Sequence, residues 1–264
     1  MKKTKISALF EKLRAEGKKA FIPYIMAGDP NPDETLNYTL LLERCGADII
    51  ELGVPFSDPL ADGPTIQKAA GRALKSGTTL TKVLALVKEI RQHTAIPLIL
   101  MTYYNPVFKY GEARFIQDSV EAGVDGVIIP DLPPEEAKEF IKLSHRSISG
   151  RQLDTVFLVA PTSTQSRIKK ITAASSGFVY YVSMTGITGS KLELDEKVRG
   201  HLNLVRQTTD KPIAVGFGIA TPEQARTVAQ LADGVIVGSA IVKVFNESPE
   251  KAEHFIRGLR EAIS

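Results

Sequence analysis

A chain of 264 residues is long enough to bury the core of one large α/β domain. With 33 Lys and Arg against 30 Asp and Glu, its net charge of +3 is too mild for a nucleic-acid or membrane-surface protein, and no basic run is interleaved with aromatics. A single cysteine, Cys45, excludes an internal disulfide and suits a reducing compartment; no apolar run approaches a membrane span, so a soluble cytoplasmic protein is expected.

The chain opens with Ile6, Leu9, Phe10 and Leu13 at helical spacing, so residues 5–17 read as an amphipathic helix; Glu11 and Lys12 break any signal-peptide core. Strand-like and helix-like segments then alternate to the end. Strands are expected at 20–27, 47–55, 97–104, 124–131, 155–161, 177–183, 212–218 and 234–238. Helices are expected near 32–45, 64–75 with 79–93, 111–122, 134–148, 164–175, 195–208, 222–231 and 249–263. Eight strands, each followed by a helix, in about 250 residues is the count of a single (β/α)8 TIM barrel. The architecture expected is one such domain over 1–264, with an extra N-terminal helix and a short helix after strand 8. An internal echo supports it: GADIIELG (46–53), GVDGVIIPD (123–131) and LADGVIVG (231–238) each pass from a helix end, through an Asp, into an apolar strand.

The most informative stretch is Ala47–Pro64, ADIIELGVPFSDPLADGP. Its strand lacks apolar/polar alternation, as a parallel strand covered on both faces should. Glu51 in such a strand has no inexpensive solvent-facing position, so it must find a partner or take up a proton. The loop that follows carries Asp58 and Asp62. A buried acid at a strand's carboxyl end, followed by an acidic loop, suits proton-transfer chemistry. A structural carboxylate pair at Glu51, and an Asp-Gly turn at Asp62, are the plainer alternatives.

Glycine turns at Gly216-Phe217-Gly218 and Gly238-Ser239 follow strands 7 and 8, the second leading into a short helix, Ser239–Phe245. This is where such barrels bind phosphate through backbone N–H groups. Gly186 and Gly189, in the loop 184–194 after strand 6, could join that cradle or act as hinges. No lysine lies in an expected strand, which removes the Schiff-base aldolase, and the four histidines fall in helical stretches as exposed polar residues, leaving no zinc cluster. Asp29 reads as a turn former, and Asp131 as a cap for the helix after Pro133 or a contact residue.

ELGVPFSDPLADGP, with GDP at 28–30, NPV at 105–107, PDLPPEE at 130–136, TGITG at 185–189, GFGI at 216–219 and GSAIVK at 238–243, closely resembles the tryptophan synthase α subunit family from about residue 5 onward. The resemblance implies a lyase that splits indole-3-glycerol phosphate into indole and glyceraldehyde 3-phosphate, without cofactor or metal. It implies a pyridoxal-phosphate β subunit as partner, in an α2β2 assembly, docking on the face with loop 56–60 and segments near 105–110 and 131–136. By the same resemblance Glu51 and Asp62 are the catalytic carboxylates. Tyr24, Tyr103, Ile128 and Tyr180 match the indole pocket, and Thr188 the loop closing over Asp62. Gly189, Phe217, Gly218, Gly238 and Ser239 match positions around the substrate phosphate. Met184 departs from the family, which often has a larger or basic residue there.

The residues agree with that chemistry. Expelling indole needs C3 protonated, N1 deprotonated and the side-chain hydroxyl stripped of its proton; Glu51 suits the first and third roles and Asp62 the second. The rivals are an isomerase or synthase acting on another phosphosugar, and a non-catalytic regulatory subunit. Loops 56–63 and 184–194 carry little apolar surface and are expected to be mobile without ligand.

Overall fold

A computed structural model of the chain describes residues 3–146, 148–182, 196–216 and 218–264. Nine strands occur among them: β1 (Ala20–Met26), β2 (Ile50–Gly53), β3 (Leu98–Met101), β4 (Gly126–Ile128), β5 (Asp154–Val156), β6 (Leu158–Val159), β7 (Val179–Val182), β8 (Ile213–Gly216) and β9 (Gly234–Val237). They form one parallel sheet in the order β5-β4-β3-β2-β1-β9-β8-β7-β6. Its two ends, β5 and β6, are halves of the one strand expected at 155–161, parted by Phe157. The break follows from a partner outside the strand: the Phe157 N–H donates to Ser175 Oγ at 3.2 Å instead of to a strand, while its carbonyl accepts from Tyr180 N at 3.2 Å. The chain itself therefore closes the (β/α)8 barrel.

The core forms two shells. Inside the ring lie Ile22, Ile49, Ile99, Ile128, Val156, Phe178, Tyr180, Ala214 and Ile236. A larger cluster, including Phe21, Leu52, Leu100, Val127, Tyr181, Val215 and Val235, packs between strands and helices. Strands buried on both faces need no alternation, which is why β1, β2, β8 and β9 are apolar or buried at every position. The N-terminal helix, Lys5–Ala15, plugs the amino-terminal end: Ile6, Phe10 and Leu13 belong to the inner cluster, with Phe10 5.6 Å from Phe178 between ring centroids.

Helix starts follow local chemistry. Asn31 caps Pro32–Arg44 by accepting from Glu34 N at 2.9 Å, and Thr221 with Gln224 forms a capping box before Pro222–Ala229. The expected helix 134–148 is only Lys138–Ser144, and one helix was not expected at all, Tyr104–Tyr110, which begins at the last residue of the strand expected at 97–104 and fills the stretch before the next expected helix. Asp131 caps this helix, accepting from Tyr104 N at 2.9 Å, and not the helix after Pro133. Asp29 is the turn former expected but is also ion-paired, bidentate with Arg72 at 2.7 and 2.9 Å and bonded to Asn246.

The sequence echo has a structural meaning. Asp48 accepts from Phe21 N at 2.8 Å, Asp125 from Leu98 N at 3.0 Å and Asp233 from Ile213 N at 2.9 Å. Each aspartate precedes its own strand and bonds the amide at or near the start of the strand before it in the chain. Each also meets an arginine: Arg260, Arg91 and Arg206 respectively.

Candidate active site

The ladder between β1 and β2 sets Tyr24 beside Glu51, and that between β2 and β3 sets Glu51 beside Ile99, an inner-shell residue. Side chains in register on adjacent parallel strands share a face, so Glu51 points into the barrel. It is 1% exposed, and among the described residues its Oε2 has no hydrogen-bond partner. Burial first, and the charge of Asp62 second, push its pKa from 4.5 up to about 8.

Asp62 approaches from the loop between β2 and the helix Pro64–Lys75. Ser57, Asp58, Leu60 and Ala61 of that loop are open to solvent, Leu60 being 95% exposed. Two bonds hold its far end: Ala61 N donates to Tyr103 Oη at 2.9 Å, and Gln67 Nε2 donates to the Asp62 carbonyl at 2.8 Å. The Phe56 and Tyr103 rings meet at 5.4 Å. Asp62 is half-buried; burial raises its pKa to about 6, against the hydrogen bond from Tyr103, which lowers it. At neutral pH one carboxyl of the pair thus holds a proton while the other is ionised.

Three tyrosines surround the pair. The Tyr24, Tyr103 and Tyr180 hydroxyls all have raised pKa values, from burial first and then from the Asp62 charge or, for Tyr180, the Glu51 charge. Two glycines make room for them. A Cβ on Gly53 would lie 2.0 Å from Tyr24 Oη, and one on Gly216 2.4 Å from Tyr180 Oη. Ile128 is fully buried in the same inner shell as Tyr180. Met26 and Met101, which pack with Tyr24, Ile66 and Val242, were not singled out from the sequence. Their signal was present: Met26 stands two residues beyond Tyr24 on β1, so the strand period puts both on one face.

Gly238 is the N-cap of the helix Ser239–Glu247, with Ser239 its first residue. A Cβ on Gly238 would meet Tyr24 only at 3.6 Å, so the barrel itself leaves space there. Gly218 is exposed with φ +75°, a conformation that favours glycine. Phe217, Thr188, Gly189, Gly186 and Met184 lie outside the described residues, as does all of loop 184–194. Two histidines differ from expectation. His93 and His254 are exposed, but His145 and His201 are half-buried, and His201 Nε2 is 3.0 Å from the Ser163 carbonyl. Cys45 is buried. Among the described residues no cluster of His, Cys, Asp or Glu is placed to hold a metal, and no helix is long and apolar enough to cross a membrane.

A closed parallel barrel with a buried acid and a second carboxylate at one mouth places the chain among the (β/α)8-barrel enzymes. Comparison with known proteins narrows this. The family described as tryptophan synthase alpha chain matches residues 10–263. The tryptophan synthase alpha chain of Geotalea uraniireducens is 53% identical over 244 residues, covering 92% of this chain and 90% of that protein. Among solved structures, tryptophan synthase subunit alpha from Legionella pneumophila superposes with a TM-score of 0.89 at 39% identity, covering 98% of both chains. A chain of the aminoacrylate-bound tryptophan synthase from M. tuberculosis gives 0.88 at 35%, covering 99% of this chain and 100% of that one. The chain belongs to the tryptophan synthase alpha chain family, lyases whose reaction is the cleavage of indole-3-glycerol phosphate in tryptophan biosynthesis.

Proposed function

We propose that Glu51 and Asp62 are the acid–base pair with which this chain splits indole-3-glycerol phosphate into indole and glyceraldehyde 3-phosphate. The observation that carries this reading is the pairing of a buried carboxyl of pKa about 8, its Oε2 without a partner among the described residues, with a half-buried one of pKa about 6. Direct expulsion of indole would leave a poor carbanion at C3. Protonated Glu51 delivers its proton to C3 while Asp62 takes the proton from N1, so the ring becomes the electron sink. The carboxylate left on Glu51 then accepts the side-chain hydroxyl proton as the aldehyde forms and the carbon–carbon bond breaks; the bonding pair flows into the ring, and N1 takes its proton back from Asp62 to give indole. Tyr24, Tyr103, Ile128 and Tyr180 enclose the indole.

The phosphate lies at Gly218, Gly238 and Ser239, where a helix N-terminus offers unpaired N–H groups and a favourable dipole. Thr188, Gly189 and Phe217 complete the loop and cradle in this reading. The chain works as one barrel domain in the cytoplasm without cofactor or metal, and passes indole to a pyridoxal-phosphate β subunit in an α2β2 assembly. The test is indole release by the purified chain, with and without a β subunit, against Glu51→Gln and Asp62→Asn. Release by the wild type that disappears in both variants supports the reading; unchanged release in either variant, or turnover only of other phosphosugars, overturns it.

A further inference from the structure

At the barrel end opposite Glu51, the three repeated aspartates are not equivalent. Asp48 and Asp233 are each satisfied by one backbone amide and one arginine. Asp125 has its amide and Arg91 Nη2 at 2.7 Å, but also Arg151 Nη2 at 2.9 Å and Lys5 Nζ at 3.5 Å. Two sister sites show that one cation suffices, so Arg151 and Lys5 are surplus to what the aspartate requires.

These groups line a cavity of about 350 Å³, together with Lys3 and Thr4. That volume suits a small ligand. Lys3 is already engaged by Glu11 at 2.5 Å. The other acid near Arg91, Glu43, accepts from Thr94 Oγ1 at 2.6 Å, which leaves Lys5, Arg91 and Arg151 facing Asp125 and Glu43. Asp154, which is near Asp125 and Thr4, is a third acid beside the cavity and is faced in turn by Lys211, so the donors of Lys5 and Arg151, and not a surplus of charge, distinguish this place. Burial lowers the proton affinity of Lys5 most, Asp125 opposes this, and Arg91 and Arg151 lower it further.

Arg91 is spent, its Nε on the Gly123 carbonyl at 2.9 Å and its Nη1 on that of Ile96 at 2.5 Å. Arg151 gives Nη1 to the Val120 carbonyl at 3.2 Å and Nη2 to that of Val124 at 3.4 Å, which leaves its Nε and one Nη1 N–H; with side-chain exposures of 41% and 42%, Lys5 and Arg151 present their remaining donors toward solvent. A tight turn carries Arg151: Ile148 and Arg151 exchange backbone bonds of 2.8 and 2.9 Å across Ser149 (φ 51°) and Gly150 (φ 79°). Ser149 is the one non-glycine residue with positive φ among those described.

We propose that this cavity is a second anion site, distinct from the catalytic mouth, taking a phosphate-class dianion between Lys5 and Arg151. Charge-assisted bonds from an ammonium and a guanidinium match the tetrahedral oxygens. Lys5 begins the helix that plugs the barrel, whereas Arg151 precedes β5. The bound anion therefore ties the plug to the wall and stabilises the fold by mass action without reaching Glu51.

The test is a titration of the ¹⁵N-labelled full chain with sodium phosphate, at ionic strength held constant with sodium chloride. Saturable shifts are expected at the amides of Thr4, Lys5, Arg151 and Gln152. In Lys5→Met and Arg151→Met the midpoint for those amides should rise about tenfold or more. Shifts at Gly238 and Ser239 should keep their wild-type midpoint, and kcat for indole release should be unchanged. Asp125 retains both guanidinium partners in Lys5→Met, so that variant decides the matter if Arg151→Met folds poorly. Shifts near Arg151 that never saturate, that sodium chloride reproduces, or that persist at the wild-type midpoint in Lys5→Met would overturn the proposal.

Discussion

Glu51 is held in a position that favours its protonated form over its charge. Glu51→Gln removes the transferable proton with little change in volume, so kcat should fall by about 10²–10⁴-fold while glycerol-phosphate binding, measured by calorimetry, stays near wild type. The two pKa values also set a pH profile. Turnover needs Asp62 ionised and Glu51 protonated, so kcat/KM should be greatest between about 6 and about 8 and fall on both sides. Tyr103→Phe removes the bond that holds Asp62 down, so the acidic limb of that profile should move to higher pH. A limb that stays in place would mean the hydroxyl does not act on Asp62. Stability should run opposite to the usual carboxylate case. The folded pKa of Glu51 lies above its ordinary value of 4.5, so its stabilising contribution is complete below that value and is lost as pH rises through about 8. Glu51→Gln cannot ionise. Its unfolding free energy near pH 9 should exceed wild type by up to a few kcal/mol, and the two should converge near pH 4 in denaturant titrations.

Elements divide the labour between the barrel's two ends. The helix Lys5–Ala15 contributes no group to the catalytic mouth but closes the inner shell, with Phe10 only 3% exposed against Phe178. Phe10→Ala should cost about 3–5 kcal/mol, because a cavity at the barrel floor has rigid strands on every side. Equilibrium unfolding measures it directly; a loss under 1 kcal/mol would mean the plug is dispensable. At the other end, the start of the helix Ser239–Glu247 is kept open by Gly238. A side chain there would occupy the approach to the backbone donors, so Gly238→Val should raise KM about tenfold or more with a smaller effect on kcat. Unchanged glycerol-phosphate affinity in that variant would place the phosphate elsewhere.

For the whole molecule, the alignment of the two carboxylates depends on parts of unequal rigidity. Glu51 sits in a four-residue strand buried at every position. Asp62 sits on a loop held at its far end by the bonds to Tyr103 and Gln67, with Ser57, Asp58 and Leu60 in solvent. A partner that covered this face would favour the loop position that aligns Asp62, by as much as its affinities for the two positions differ. The isolated chain should therefore be the slower catalyst, and a β subunit should raise kcat while increasing amide-exchange protection across residues 56–63. Equal protection and equal kcat with and without the partner would remove this gating without touching the carboxylate chemistry.

The barrel was legible because its signals are local. Apolar runs closed by Gly and Pro, helix-starting Pro and capping residues such as Asn31 and Thr221 are read over a few residues, and eight repeats leave few alternatives. Glu51 was legible for a related reason, since a carboxylate in a doubly covered strand is conspicuous against its immediate neighbours; the loop after it offered Asp58 and Asp62 alike, and the family resemblance singled out Asp62. Local pattern failed where an atom's partner comes from a distant part of the chain. Phe157 splits a strand because Ser175 takes its N–H, and Asp131 caps the helix Tyr104–Tyr110 across the gap between two strand ends. Asp29 finds Arg72 and Asn246, and the half-burial of His145 and His201 depends on packing that no short window contains. The sequence alone determined the period, the punctuation and the placing of the acid. Which groups share a proton, a cation or a cavity was decided only by closure of the ring, since closure removes water and sets residues far apart in the chain within hydrogen-bond reach.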